Sequence, residues 1–372
     1  MQKQIASQWA MCLPQYFGVE YVINPWMEGH IGQAKADVAA AQWQKLYELV
    51  AAHTSVALIP PVSDLPDMPF VANAGLVLND IFIPSVFRFP QRRLEECHFI
   101  EWFQQQGYKI VELGVDGTFE GEGDALFQPG QPLLWAGYGV RSSLEVHRRL
   151  CEILDVEVVS LYLVDKRFYH LDTCFSPLPG GRVLYYPPAF DDASLKAIAD
   201  RIPASHRLEV SDEDALNFTC NGVVLDDVFI CNHPTAEFVQ KMQAWGFKVL
   251  ETPLTEFMLA GGAAKCLSLR LTQTVPARTA ATSAFKSTIV DCLIELQGHL
   301  LDDGKINQVL DLIMHFGGSF EIPRFQAGLR QDQESLIQLR IFAPNAQRLH
   351  DLIAALQNKT KASQLIVRIS DV

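Results

Sequence analysis

One stretch of this chain is written twice, and that constrains the fold more than any other feature. FVANAGLVLNDIFIP (Phe70 to Pro84) recurs with one deletion as FTCNGVVLDDVFIC (Phe218 to Cys231). Each reads as a short apolar strand, an Asn/Gly turn and a second alternating strand, the pattern of a β-hairpin. Looser copies are GDALFQPGQPLLWAGYGV from Gly123 and HLDTCFSPLPGGRVLYYP from His170, and a fifth begins at GGAAKCLSLRL. The anchors Asn73, Asp124, Asp172, Phe218 and Cys266 are spaced by 51, 48, 46 and 48 residues, which leaves room for one helix between hairpins. Such a period is the mark of a repeat architecture.

The intervening segments carry that helix. KADVAAAQWQKLYELVAAH, PQRRLEECHFIEWFQQQG, VRSSLEVHRRLCEILD and PTAEFVQKMQAWG place apolar residues three and four apart, as an amphipathic helix requires. Ser142 and Ser143, with Glu145 close behind, are expected N-caps of the third, and Pro234 and Thr235 open the fourth. A hairpin with one helix cannot bury its own apolar face. Five would pack around one axis and leave a central site where each unit contributes a polar residue.

The pattern changes after about residue 281, following TQTVPARTAATSA. STIVDCLIELQGHLL reads as a strand, GKINQVLDLIMHFG as a helix, SFEIPRF and SLIQLRIFAP as strands, NAQRLHDLIAALQ as a helix capped by Asn345, and SQLIVRISDV as a final strand. The order β-α-β-β-α-β is that of a ferredoxin-like unit. The expected division is therefore a catalytic α/β domain over 1–280 and a small α+β domain over 281–372. The second carries no evident catalytic constellation and reads as an oligomerisation or docking module, with a small-molecule sensor as the alternative.

Composition narrows the function. A formal charge of −13 with no basic run argues against a nucleic-acid backbone as partner. No apolar run is long enough for a membrane span, and the start lacks the basic cluster and apolar stretch of a secretory leader. Eight cysteines at 12, 97, 151, 174, 220, 231, 266 and 292 form no C-x-x-C pair; they suit reduced thiols in a cytoplasmic protein better than a disulfide framework or zinc site.

A small cationic ligand fits that balance. A guanidinium group is planar and permanently charged, so hydrolysing it requires carboxylates or amides for its N–H groups, a strong nucleophile and a proton donor for departing ammonia. Cys266 follows the small residues Gly261 to Ala264, which let a substrate approach the backbone. His170 and Asp172, two apart, share one face of a strand. Asp124 ends FEGEGD, and either Asp124 or Glu122 is placed to accept a bond from one nitrogen of His170, leaving the other to shuttle a proton. The seven other cysteines compete with Cys266, and His30, His233 and His315 carry no usable motif.

Together these residues resemble the amidinotransferase and arginine deiminase superfamily, the pentein fold, over residues 10 to 275. The resemblance implies a five-bladed α/β propeller in which Cys266 attacks the guanidinium carbon. His170 would protonate leaving ammonia and then activate water, Asp124 would orient His170, and Asp172 would hold guanidinium nitrogens. Arg92 in FPQRRLEE and Arg141 in GYGVRSS match positions that grip the substrate's α-carboxylate. Asn73 stands where deiminases and dimethylarginine hydrolases have an acid, and Asn24 in INPWM lies in the first hairpin region. With the tail Leu296 to Phe320, this variant is similar to cyanobacterial-type arginine dihydrolases, whose tail resembles a segment beside saccharopine-dehydrogenase-like domains.

That likeness implies two thiol cycles, converting arginine and water to ornithine, carbon dioxide and two ammonia, with Asn73 permitting the second cycle and Asn24 assisting. A deiminase stopping at citrulline, an amidinotransferase and a non-catalytic pentein binding protein are the alternatives. The thiol chemistry calls for no metal or organic cofactor. A homo-oligomer is expected, as is fusion to a downstream ornithine-processing domain, which could bind NAD, in a longer polypeptide.

Overall fold

The computed structural model describes residues 8–276, 289–301, 304–328, 330, 333–362 and 365–370. Its α/β architecture is built from five three-stranded sheets and one four-stranded sheet. The strands of the first body are β1 (Trp9–Cys12), β2 (Val56–Ile59), β3 (Gly75–Leu78), β4 (Ile81–Pro84), β5 (Lys109–Ile110), β6 (Ala125–Phe127), β7 (Leu133–Tyr138), β8 (Glu157–Tyr162), β9 (Phe175–Leu178), β10 (Arg182–Tyr185), β11 (Arg207–Glu209), β12 (Val223–Leu225), β13 (Val228–Cys231), β14 (Lys248–Glu251) and β15 (Leu269–Arg270). Four sheets repeat one plan. An antiparallel hairpin is followed by a helix, and the chain returns as a strand parallel to the hairpin's second strand.

The fifth sheet differs from the hairpin expected after Cys266. β15 pairs antiparallel with β1, Trp9 opposite Arg270 and Ala10 opposite Leu269, and β1 runs parallel to β2. The two ends of the first body therefore share one sheet. The hairpin turns also sit further along than the Asn/Gly pairs. They fall at Asn79 and at Asp226, whose φ angles of 55° and 53° are a conformation Asn and Asp tolerate. The upstream Asn73 instead lies in a 3-10 turn, Val71–Ala74, leading into β3.

The repeated glycine has a packing cause. A Cβ on Gly75 would lie 2.5 Å from the ring of Phe82, and one on Gly222 would lie 2.2 Å from the ring of Phe229. In both copies an aromatic residue of the second strand closes over the glycine of the first, so neither tolerates a side chain.

The helices Ala36–Ala51, Arg93–Gln105, Glu145–Leu154 and Ala236–Ala244 match the periodic segments, and Asp192–Arg201 completes the set. Thr235 caps the fourth as expected, accepting from Phe238 N. Ser142 and Ser143 do not cap the third. Ser143 Oγ accepts from Thr118 N, while Ser142 Oγ accepts from Glu120 N and donates to Asp124.

The second body holds β16 (Val290–Gly298), β17 (Ser319–Gln326), β18 (Ser335–Ala343) and β19 (Ile366–Ser370), in the order β17-β18-β16-β19, all antiparallel. Helices Lys305–His315 and Ala346–Ala362 supply its cover, and Asn345 Oδ1 accepts from Arg348 N. Residues 277–288, which include the start of the first expected strand, lie outside the described residues. Tyr138 donates to Gly317 O, Arg148 pairs with Asp291 and Arg348 with Asp191, joining the two bodies. Among the described residues no helix is long and apolar enough to cross a membrane.

Candidate active site

Short 3-10 turns stand at the hairpin starts, Val71–Ala74, Gly121–Gly123 and Leu171–Thr173, and the second packs against both of the others. They deliver Asn73, the FEGEGD acids and Asp172 to the centre. Gly123 shows how tight the junction is: a Cβ there would lie 2.3 Å from Asn73 Nδ2 and 3.2 Å from His170 Nδ1.

Cys266 is 2% exposed. Its thiol donates to Asp172 Oδ2 at 3.4 Å and receives Asn221 Nδ2 at 3.2 Å. Asn221 Oδ1 also accepts the backbone N–H groups of Ala263 and Cys266, and its Nδ2 reaches Asp172 O. One amide thus fixes the loop carrying the thiol and the turn carrying the carboxylate. Burial, with Asp172 adding to it, pushes the Cys266 thiol well above its ordinary pKa. Burial also raises Asp172 to about 7, against the pull of Lys265 and its hydrogen bonds. Both shifts favour the protonated form of the group. Asp172 Oδ1 is buried without a partner, an open acceptor beside the nucleophile.

The carboxylate on His170 is Glu120, not Asp124 or Glu122. His170 Nε2 lies 2.7 Å from Glu120 Oε2, the same oxygen that accepts Arg141 Nη1 at 2.8 Å. Burial alone would raise Glu120, but Arg141, His170 and Arg92 hold it below the usual carboxylate range. Asp124 stands one layer back, accepting from Leu171 N and Ser142 Oγ, and burial lifts it to about 6. Glu122 pairs with Lys265 at 2.7 Å. Gly121, at φ +60°, breaks the two-residue alternation of the string, so the three acids point to three different partners.

Arg92 and Arg141 are both buried. Arg92 grips Glu95 through two nitrogens and donates to Asn73 Oδ1 at 2.8 Å. Arg141 donates to Ile23 O, and its guanidinium lies 4.7 Å from the ring of Phe89 and 4.6 Å from that of Tyr169. Asn24 is engaged at both ends, its Oδ1 capping Trp26 N and Met27 N and its Nδ2 donating to Ala260 O.

Asn24, Asn73, Arg92, Arg141 and Cys266 line one chamber with Asp67 and Tyr169. At about 10 Å³ it has room for roughly one water, so a larger ligand requires its walls to part. Of the residues singled out in the sequence, Asn24, Asn73, Arg92, Arg141 and Cys266 share this chamber. Asp172 touches the thiol, His170 joins through Glu120 and Arg141, and Asp124 acts only through neighbours. Glu120, Asn221, Asp67 and Tyr169 were not foreseen. Glu120 lay within the FEGEGD string and Asn221 within the repeated FTCNG, so a signal existed for both.

The chain matches known proteins over both bodies. Residues 25–272 match the model of the N,N-dimethylarginine dimethylhydrolase family, eukaryotic, and residues 291–371 match the conserved region of the LOR/SDH bifunctional enzyme. The chain is 37% identical over 266 residues to N(G),N(G)-dimethylarginine dimethylaminohydrolase of Mycobacterium tuberculosis, covering 71% of this chain and 85% of that protein. The chain belongs to the dimethylarginine dimethylaminohydrolase family.

It is also 46% identical over 346 residues to the bifunctional arginine dihydrolase/ornithine cyclodeaminase ArgZ of Synechocystis, covering 93% of this chain and 48% of that one. It thus spans about half the length of such curated relatives. The crystal structure of the ArgZ N-terminal domain bound to product, an arginine dihydrolase from the ornithine-ammonia cycle in cyanobacteria, superposes with a TM-score of 0.72 at 49% identity, covering 73% of this chain and 99% of that one.

Proposed function

We propose that this chain is an arginine dihydrolase, hydrolysing L-arginine to ornithine, carbon dioxide and two ammonia through covalent intermediates on Cys266. The observation that carries the reading is the buried, unpartnered Asp172 Oδ1 beside the thiol, in a site that also holds two buried arginines and two asparagines. A carboxylate with a free acceptor suits a guanidinium N–H, and an arginine fork suits an α-carboxylate. Similarity to ArgZ over most of this chain supports the choice of arginine.

In this reading the cationic guanidinium takes its place against Asp172, and the thiol proton is released to solvent as the thiolate forms beside the bound cation. The Cys266 thiolate attacks the guanidinium carbon, and the bond to one terminal nitrogen breaks with a proton from His170, releasing ammonia. Water, deprotonated by His170, then attacks the same carbon and the C–S bond breaks, giving a ureido compound and the thiolate. Glu120 holds the imidazole in orientation, the part first assigned to Asp124, which instead positions the turn carrying His170. In the second cycle the thiolate attacks the ureido carbon and the remaining terminal nitrogen leaves as ammonia. Water then attacks this S-alkyl thiocarbamate and the C–S bond breaks, giving the thiolate and a carbamate that loses carbon dioxide to leave ornithine. Arg92 and Arg141 hold the amino-acid end. Asn73, a neutral amide bonded to Arg92, retains the neutral ureido group, with Asn24 assisting.

The family match favours one second reading, hydrolysis of a methylated arginine to citrulline. Dimethylarginine supplied in place of arginine separates the two. Intact-mass analysis of the quenched enzyme tests the covalent step: an adduct on Cys266, absent from Cys266→Ala, is expected with arginine, and turnover without any adduct in rapid-quench samples would overturn it.

The architecture belongs to the same proposal. The shared β15-β1-β2 sheet supports five blades closed as a pentein propeller over 1–280. The order β17-β18-β16-β19 supports a ferredoxin-like unit over 281–372. A cytoplasmic homo-oligomer, fused in the longer polypeptide to an ornithine-processing domain as in the bifunctional relatives, completes the reading.

A further inference from the structure

A second, far larger space lies against Asp172. It measures about 530 Å³ and is lined by residues of β6, β9 and β12, with Glu122, Asp172, Cys220 and Lys265 among its walls. Cys266 is not among those walls. Asp172 is the partition between this cavity and the thiol: it lines the cavity, and its Oδ2 takes the thiol of Cys266, which lines the front chamber. The chamber with the two arginines has about 10 Å³ and none of the hairpin strands in its wall.

We propose that this rear cavity is the passage by which hydrolytic water reaches the thiol adduct and ammonia departs while the amino-acid end of the substrate still occupies the front chamber. The inference rests on the reading of the site as a guanidino hydrolase. Each cycle breaks one C–N bond, releasing one ammonia with a proton from His170, and consumes one water to break the C–S bond. Two waters must enter and two ammonia must leave per arginine, while the ureido intermediate must stay. A front chamber that opened for each small molecule would lose that intermediate. A rear route separates the two kinds of traffic.

The walls suit this traffic. Asp172, Glu122, Asp226 and Asp227 supply carboxylates that hydrate the path and favour ammonia leaving as ammonium. At its inner end the Lys265 to Glu122 ion pair, 2.7 Å and largely buried, sits beside Asp172. Asp172 is lifted by burial and lowered by Lys265, so the pair bears on the partition itself. A space of this size holds a chain of waters, where the front chamber holds about one.

The test narrows the cavity without touching the machinery around the thiol. Ser176, on β9, and Val224, on β12, line it from two sides. Ser176→Phe and Val224→Phe are compared with the parent and with Ser176→Ala in rapid-quench single turnovers with arginine, alongside melting temperatures. The adduct on Cys266 is expected to form at the parent rate and to decay about tenfold more slowly in each folded Phe variant, with Ser176→Ala unchanged. Either Phe variant suffices, so the loss of one through misfolding leaves the test intact; should both misfold, Ser176→Leu and Val224→Leu carry the same expectation. Folded variants whose adduct decays at the parent rate would overturn the passage. A parent that forms no adduct and no ornithine would instead overturn the guanidino-hydrolase reading.

Discussion

Around Cys266 the first body buries the charged or titratable side chains of Asp67, Arg92, Glu95, Glu120, Asp124, Arg141, His170 and Asp172. The second body buries Cys292, Ile294, Leu296, Val309, Ile313, Ile337, Leu339, Ile341, Leu352 and Leu356. Its buried polar side chains among the described residues are Ser335 and Thr360. Both are helices on sheets, but their interiors answer different demands. Taking a charge out of water costs several kcal/mol unless partners compensate, and an aliphatic core of similar volume avoids that cost. The first body accepts it because fixed, desolvated charges act on a substrate far more strongly than solvated ones. Burial raises carboxyls such as Glu95 and Asp172 to about 7, so their partners compensate the cost only in part.

The contrast can be broken most forcefully at the imidazole. His170→Ala is expected to lower turnover by roughly 10²–10⁴-fold, the usual range for a general acid–base, and Glu120→Gln by about 10²-fold. Because Glu120 also neutralises Arg141, the Gln variant is expected to lose stability as well, by about 3 kcal/mol. Rate and denaturant titration on the same sample check both, and a fully active, fully stable Glu120→Gln would remove Glu120 from the account.

In the second body the largest effect is on stability alone. Leu339→Ala, at a fully buried site, is expected to cost about 2–5 kcal/mol in the unfolding of that body while leaving the ratio of products unchanged. A shifted product ratio would show that the two interiors are not independent in function.

A pH experiment sharpens the comparison further. The folded-state pKa of Asp172 is raised above its unfolded value by burial, so its contribution favours the folded state at low pH and is lost as pH rises towards about 7. Asp172→Asn is therefore expected to melt higher than the parent above pH 7 and to lose the gap near pH 4, while losing activity throughout. In the parent, binding of a cationic guanidinium near pH 6.5 is expected to release up to about one proton, read from the buffer dependence of the calorimetric enthalpy. Equal enthalpies in all buffers would count against the protonated pair. The smallest effect belongs to exposed pairs such as Lys196 with Asp200, where Lys196→Ala should change stability by under about 0.5 kcal/mol.

Much of this was legible in the sequence, and what was not has physical causes. The repeat located four hairpins because strand alternation and glycine under a Phe ring are local features. The fifth sheet escaped because β15 pairs with β1 across the length of the first body, a contact with no local signature. The third strands are as short as Lys109–Ile110, too brief for a period to emerge. The family resemblance singled out Asn24, Asn73, Arg92, Arg141 and Cys266, which line one chamber, but the reading of the FEGEGD acids offered Asp124 or Glu122 and missed Glu120. Gly121 turns the backbone between them, and the choice of partner depends on Lys265, Ser142 and Arg141, which arrive from other sheets. Asn221 was read as part of a hairpin turn, whereas it bonds the cysteine loop across 45 residues.

The central claim is that the chain's buried polar interior carries arginine through both cycles. The most direct measurement is the stoichiometry of ornithine, citrulline and ammonia formed from arginine by the purified chain, beside Cys266→Ala and Asn73→Asp. The account predicts ornithine with two ammonia per arginine for the parent, no product from Cys266→Ala, and citrulline with one ammonia from Asn73→Asp. Citrulline as the parent's end product, or ornithine from Asn73→Asp at the parent rate, would contradict it.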